Sequence, residues 1–301
     1  MREQGPIIVP LDGSELAETA LPYAAALAAA LRTHLVLVTA WEGSESELGA
    51  TFPAMAMEIE KGAQDHFAQY LDGVRARYGR ADQTRTVVRS GDAVETILAV
   101  ADETGARMLA IATHGRSGLG RWLYGSTAGR LLRGSHLPLV AVGPHAPPRS
   151  TDGAAIKHVM VPLDGAPSSE AALPLAQTVA AALGAKVSLV RAVRWAAQNY
   201  PYSLPDAYVP QIDDELEGGA KAYLRRMEDG FKDKGDVDAF VVRGAVADGL
   251  LEVVDEQSVD LVVMTTHARA GLARAALGST ADRMLQGKAP VLLVRPEDEK
   301  P

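Results

Sequence analysis

The sequence predicts an α/β protein of two tandem domains, each a five-stranded parallel sheet with helices on both faces. Three observations predict it. First, the chain repeats itself. Ile8-Val9-Pro10-Leu11-Asp12-Gly13 returns as Met160-Val161-Pro162-Leu163-Asp164-Gly165, and Leu21-Pro22 as Leu173-Pro174. Thr113-His114 returns as Thr266-His267, Gly125-Ser126-Thr127 as Gly278-Ser279-Thr280, and Pro138 as Pro290. The offset stays at 152 or 153 residues throughout. That is a duplicated domain, because the period is far too long for a solenoid repeat. Second, the strand-like segments are short and apolar throughout, as strands buried on both faces are. Third, segments of helical periodicity alternate with them.

In order, residues 6–11 form an apolar strand. Residues 14–31 read as one helix, with Asp12 or Ser14 to cap it and Glu15 and Glu18 in its first turns. A second strand covers 34–40. A helix over 57–78 carries Ile59, Phe67, Leu71 and Val74 on one face. Then follow a strand at 85–89, a helix at 93–103, a strand at 108–112, a helix at 127–133 and a strand at 137–142. The second half repeats the order: 159–163, 169–183, 186–192, 214–232, 239–242, 246–256, 261–265, 279–285 and 290–294. A segment rich in Pro, Gly and Ala divides the chain into a first domain at 1–145, a linker at 146–155 and a second domain at 156–301.

Composition narrows the function. With 47% hydrophobic residues the chain supports two cores. It has no cysteine, which removes disulfides, thiol nucleophiles and cysteine metal sites and fits a reducing cytoplasm. A net charge of −8 is the wrong sign for a general nucleic-acid face. No secretory leader is read at the start, and the Ala-rich run 17–31 is short and broken by Glu18 and Pro22. No membrane association is expected.

Ligands of open parallel sheets sit beyond the carboxyl ends of the strands, where the winding reverses. Two repeated segments lie just past strand ends, and they line one cleft if the first and fourth strands are neighbours at that point. One is Pro10-Leu11-Asp12-Gly13, after the first strand. The other runs from Ala112 through His114, Gly115, Arg116, Gly118 and Gly120 to Gly125-Ser126-Thr127, after the fourth. The glycines let backbone N–H groups approach an anion, and a helix starting at Ser126 and Thr127 offers free N–H groups and a favourable dipole. Asp12 is an acceptor for ribose hydroxyls. The pieces together suit a nucleotide, although each alone is common as a plain turn or cap. Neither a Walker motif nor a dinucleotide glycine fingerprint follows the first strand.

These residues carry a resemblance. Each half is similar to a universal stress protein domain, and the chain resembles a tandem member of that family over nearly its whole length. The family signature is Gly, two residues, Gly, nine residues, Gly, then Ser or Thr. The first half matches with Ala112, Gly115, Gly125 and Ser126, and the second with Thr265, Ala268, Gly278 and Ser279. The resemblance implies a Rossmann-like, adenine nucleotide α-hydrolase-like fold. It implies that Gly115, Gly125, Ser126 and Thr127 hold phosphates, and that Asp12 and the end of the second strand near Ala40 hold ribose and adenine. The implied ligand is ATP, with AMP or ADP as alternatives and Mg²⁺ as an accompanying ion. It also implies last strands at sheet edges, so that 137–142 and 290–294 can pair as an intramolecular pseudo-dimer; a homodimer of whole chains stays open.

The expected first site therefore comprises Pro10, Leu11, Asp12, Ala40, Ala112, His114, Gly115, Arg116, Gly118, Gly125, Ser126 and Thr127. A weaker second site comprises Pro162, Leu163, Asp164, Ala192, Thr265, His267, Ala268, Arg269, Gly278, Ser279 and Thr280, weaker because a Cβ at 268 hinders close phosphate approach. The recurring histidines have no Ser or Asp placed for a triad and no metal-ligand spacing, so no catalytic residue and no resident metal are expected. In the second half the aromatic, proline-stiffened stretch Trp195 to Pro210 replaces an acidic counterpart, and could stack on a base or cover a partner. Three functions compete. The chain is a cytoplasmic ATP-binding stress-response switch with at most slow hydrolysis, a scaffold that binds no nucleotide, or an adenylate-transferring enzyme. The absence of a Ser-Gly-Gly-x-Asp-Ser-type loop after strand one counts against the last.

Overall fold

Apolar β-branched runs such as Ile7-Ile8-Val9 bury completely only in the middle of a covered sheet, and this is where the chain puts them. The computed structural model describes residues 5–41, 53–78, 83–113, 124–148, 156–194, 209–231, 235–266 and 277–296. It divides into two compact units, Met1–Pro144 with Pro148–Ala155, and Ile156–Pro301 with His145–Pro147.

Unit 1 contains β1 (Ile7–Pro10), α1 (Glu15–Glu18), α2 (Leu21–Ala30), β2 (Leu35–Trp41), α3 (Pro53–Arg77), β3 (Thr84–Ser90), α4 (Ala93–Glu103), β4 (Met108–Ala112), α5 (Ser126–Gly134) and β5 (Leu139–Val142). The strands run parallel in the order β3-β2-β1-β4-β5. The chain winds outward from β1 to β3, then crosses back to β4, so the switch point lies between β1 and β4, where Ile7 pairs Met108 and Ile8 pairs Leu109. Ile7, Ile8, Val9, Met108, Leu109 and Ala110 are fully buried.

Unit 2 repeats the plan with β6 (His158–Pro162), α6 (Pro167–Glu170), α7 (Leu173–Leu183), β7 (Lys186–Val193), α8 (Val209–Asp229), β8 (Val237–Arg243), α9 (Val246–Glu256), β9 (Leu261–Thr265), α10 (Ser279–Met284) and β10 (Val291–Val294). Its parallel order is β8-β7-β6-β9-β10.

Two expectations are corrected. The first helix is not one piece over 14–31 but α1 and α2, separated at Thr19 and Ala20. Pro22 is the cause. It has no N–H for the Glu18 carbonyl and its ring clashes with that oxygen, so the helix stops and restarts with proline in its first turn. Pro174 divides the second expected helix, 169–183, into α6 and α7 in the same way. The apolar face read across 57–78 is also only half right. Leu71 and Val74 are fully buried, whereas Ile59 is 46% exposed. At 25 residues α3 is about 37 Å long. The seven-residue strands β2 and β3 span only about 23 Å, so the first half of α3 overruns the sheet.

One contact recurs in both units. The Tyr70 hydroxyl donates to Glu18 Oε1 at 3.1 Å, and Tyr223 to Glu170 Oε1 at 3.1 Å, pinning the short first helix of each unit to its longest one. Burial, then the carboxylate, pushes the Tyr70 phenol well above its ordinary range and that of Tyr223 up to about 12.

Candidate functional site

The first wall of the site is the end of β1. Leu11 N–H still donates to the Val38 carbonyl at 2.8 Å, as if the strand continued, and then Gly13 turns the chain at φ 82°. A side chain rarely adopts that φ, which accounts for the glycine. Asp12 Oδ1 accepts from Ser14 N at 3.0 Å and from Ser14 Oγ at 2.5 Å. Ser14, rather than Asp12, caps α1, its Oγ accepting from Ala17 N at 3.2 Å. Asp12 is exposed, and its Oδ2 has no partner among the described residues.

The opposite wall is the start of α5. Gly125 N–H donates to the Thr113 carbonyl at 3.2 Å, drawing the helix start back to the end of β4. Gly125 is the N-cap and has no side chain to cap with. The N–H groups of Ser126, Thr127 and Ala128 precede the first intrahelical bond, from Gly129 N to Gly125 O, and have no acceptor among the described residues.

Between the walls lies a cavity of about 460 Å³. Eight of the expected residues line it: Pro10, Leu11, Asp12, Ala40, Ala112, Gly125, Ser126 and Thr127. Others in the lining were not foreseen. Val38 follows from strand alternation, two residues before Ala40. Ala93 and Ile97 sit one turn apart on α4, and Ile111 and Leu131 complete an apolar floor. The signal for them was periodicity in elements flanking the switch point, which the motif-based reading did not use. His114, Gly115, Arg116 and Gly118 lie outside the described residues, as do His267, Ala268 and Arg269 and most of the aromatic stretch 195–210.

The α4 rim is fixed by Asp92. Its Oδ1 accepts from Val94 N at 2.9 Å and Glu95 N at 3.0 Å, and its Oδ2 from Arg130 Nη1 at 2.6 Å. Arg130 first, then the backbone N–H groups, hold its carboxyl at about 2. The pair joins the first turn of α4 to α5 at the two sides of the cavity.

The family model described as the universal stress protein family matches residues 5–143 and again 155–295. The chain belongs to the universal stress protein family. Relatives within it include a universal stress protein of Mycolicibacterium smegmatis, 29% identical over 70% of this chain and 69% of its own length. One of Mycobacterium tuberculosis is 28% identical over 67% of this chain, which spans 65% of that relative. Among solved structures, a universal stress protein of Archaeoglobus fulgidus aligns over 96% of this chain and 98% of its own, with a TM-score of 0.67 at 17% identity. A Pseudomonas aeruginosa structure aligns over 98% and 94%, with a TM-score of 0.61 at 15% identity. At these identities the structures establish the shared α/β fold. Among the described residues no helix is long and apolar enough to cross a membrane.

The second family domain places its expected residues alike. Leu163 N donates to Val190 O at 2.8 Å, and Thr266 N to Val294 O at 3.0 Å, as Leu11 and Thr113 do in unit 1. Gly278 caps α10 as Gly125 caps α5, ahead of Ser279 and Thr280. Pro162 pairs Val190 just as Pro10 pairs Val38, with Asp164 beyond it and Ala192 at the position of Ala40. The differences are in side chains. Thr265 stands at the position of Ala112, adding a hydroxyl and a methyl. Asp282 occupies the first turn of α10, where α5 has no acid. Arg191 stands at the position of Thr39. Its guanidinium lies 4.9 Å from the centre of the Tyr223 ring and against the backbone of Gly165.

Proposed function

We propose that unit 1 binds ATP in the cavity between β1 and α5, and that the chain works as a nucleotide-dependent switch or sensor rather than as a turnover enzyme. The observation that carries this reading is that one cavity offers three chemically distinct ends. The uncapped start of α5, a nine-residue helix with no acid in its first turn, presents free N–H groups and a positive dipole end to phosphate. Asp12 presents an unpaired carboxylate oxygen to ribose hydroxyls. Val38, Ala40, Ile97 and Ile111 offer an apolar slot to the faces of a base. A volume of about 460 Å³ is within the range of small-ligand sites.

Magnesium fits only as a companion of the phosphates. Among the described residues of the cavity lining Asp12 is the one carboxylate, and Mg²⁺ takes one or two carboxylates and completes its shell with phosphate oxygens and water.

The test is to denature freshly purified protein, identify released nucleotide by mass spectrometry, and titrate the emptied protein with ATP and Mg²⁺ by calorimetry. One site per chain, weakened by Asp12→Asn, is the expected result. Binding that Asp12→Asn leaves unchanged would remove the site from this cavity. Met55, Met57 and Ile59, exposed at 46%, 70% and 46%, favour a second reading as an interaction scaffold, which becomes the better one if no nucleotide binds.

A further inference from the structure

At the amino end of the unit 2 sheet, opposite the ligand side, three polar side chains form a chain across β6, β7 and β8. His158 Nδ1 faces the Gln257 carbonyl at 2.9 Å, and its Nε2 faces Ser188 Oγ at 2.7 Å. Ser188 Oγ also faces Asp238 Oδ1 at 2.5 Å. The order differs from a hydrolytic triad, because the carboxylate meets the serine and not the imidazole. Ser188 is fully buried and His158 is 8% exposed, so no substrate reaches the hydroxyl.

The proton count decides what this chain of contacts is. A carbonyl only accepts, so Nδ1 donates to Gln257 and carries a proton. Ser188 has one proton for two neighbours. If it goes to Asp238, Nε2 must donate to Oγ and the ring is an imidazolium. If it goes to Nε2, the hydroxyl and the carboxylate meet lone pair to lone pair. Three contacts therefore need three protons, and a neutral imidazole with a serine supplies two.

The surroundings favour the added charge. Lys186 Nζ pairs Asp238 Oδ2 at 2.7 Å, and Asp236 also acts on Lys186. Asp260 Oδ2 accepts from Lys157 N at 2.8 Å and His158 N at 3.1 Å. On α9, before Gln257, come Asp255, paired with Lys288 at 2.9 Å, and Glu256. The carboxylates of Asp236 and Asp238 thus stand against the Lys186 ammonium, and that of Asp260 against the backbone N–H groups of Lys157 and His158.

We propose that His158, Ser188 and Asp238 form a proton-linked latch in unit 2: uptake of one proton satisfies all three contacts and fastens edge strand β8 to β7, β6 and the turn at Gln257. The latch belongs to unit 2 alone. Pro6, Val36 and Arg85 hold the equivalent positions in unit 1, and none of them relays a proton to the next. The sign follows from proton linkage. The native state keeps a proton that an unfolded histidine releases above about pH 6.5. The latch therefore stabilises unit 2 in mild acid, and its contribution is lost as pH rises.

The test uses the full chain labelled with ¹⁵N, with ring nitrogen shifts and amide exchange followed from about pH 6 to pH 8.5, across the ordinary histidine range. The His158 signals are those missing from His158→Gln. In the wild type both ring nitrogens are protonated at neutral pH. Exchange of the β8 amides, corrected for intrinsic rates, speeds up with pH by at most about tenfold per unit, the limit for one linked proton, while β3 does not respond. In Asp238→Asn the amide donates to Ser188 Oγ and frees the hydroxyl proton for Nε2. That variant shows a singly protonated ring and a flat β8 response. If Asp238→Asn does not fold, Ser188→Ala severs the relay and gives the same loss of the second proton. A singly protonated wild-type ring at neutral pH, or a β8 response unaltered by either variant, overturns the proposal.

Discussion

The start of α5 and the start of α10 are built from the same Gly-Ser-Thr and differ in what completes them. In unit 1 the helix runs for nine residues with no acid in its first turn, and its free N–H groups open into a cavity floored by alanines and isoleucines. In unit 2 the helix is six residues long, carries Asp282 in its first turn, and stands beside Thr265 where unit 1 has Ala112. An internal carboxylate at a helix start occupies the same favourable field that an incoming phosphate would use. Duplication therefore preserved the backbone at both helix starts, while the side chains around them diverged. A similar trade occurs at the rim. Asp92 caps α4 and pairs with Arg130, whereas Ala245 leaves α9 without a side-chain cap, and Arg283, at the position of Arg130, turns to Asp248 at 3.3 Å.

Exchanging residues between the copies tests this contrast. The largest effect is expected from Ala112→Thr, which gives unit 1 the side chain of unit 2 inside the cavity. ATP affinity should fall by about tenfold or more, equivalent to ~1.4 kcal/mol, with the folded spectrum unchanged. Equal affinity by calorimetry would show that the side chain at this position does not control ATP binding. Next is the cap. Ala245→Asp should raise the stability of unit 2 by about 1 kcal/mol, measured by urea denaturation, and Asp92→Ala should lower that of unit 1.

A smaller exchange concerns two turns. Arg32 and Ser258 both sit at φ 52°, where the other copy has Gly184 at 62° and Gly105 at 63°. Arg32→Gly and Ser258→Gly should each stabilise their own unit by about 0.5–1 kcal/mol, because the left-handed conformation costs a side chain more than it costs glycine. A loss of stability in either would mean that the side chain's contacts outweigh the strain. The smallest effect is acid sensitivity at the rim. The Asp92 carboxyl titrates at about 2 in the folded state, below its ordinary range. Its support of α4 is complete above about pH 4 and is lost as pH falls toward 2. Amide exchange at Val94 and Glu95 should rise over that interval in wild type and show no such step in Asp92→Asn.

Much of this was legible in the sequence because the repeat is internal evidence. Two copies of Val-Pro-Leu-Asp-Gly and of Gly-Ser-Thr marked the strand ends, and the wholly apolar runs pointed to a parallel sheet, whereas the placing of β1 beside β4 came from the structure. Of the unit 1 site, every expected residue within the described segments lines the cavity. The apolar half of the lining was not legible, because Ile97 and Leu131 look like any other core residue until topology turns α4 and α5 toward the same opening. The split helices were missed because Pro22 was weighed only against a membrane span and not as an interior breaker of the helix read over 14–31. The overrun of α3 was missed because periodicity gives a helix its face but does not say how far the sheet beneath it extends. The His158 relay has no sequence signature, since its three members are 30 and 50 residues apart and meet only through strand register.

The pairing of β1 with β4 also has a consequence for assembly. Ile7 and Met108 are neighbours in the sheet, so the central strand waits for about a hundred residues of chain before its second edge is covered. At ribosomal speeds of about 5–20 residues per second, that wait lasts on the order of 5–20 seconds. During it, β1 has β2 as its partner on one side and an open edge of Ile-Ile-Val on the other. By the time the similarly apolar Val-Met-Val of β6 emerges, β4 and β5 have already been made. The order of synthesis thus gives each copy its own partners before the other copy can compete for them, which a chain with two similar central strands needs in order to avoid exchanging them.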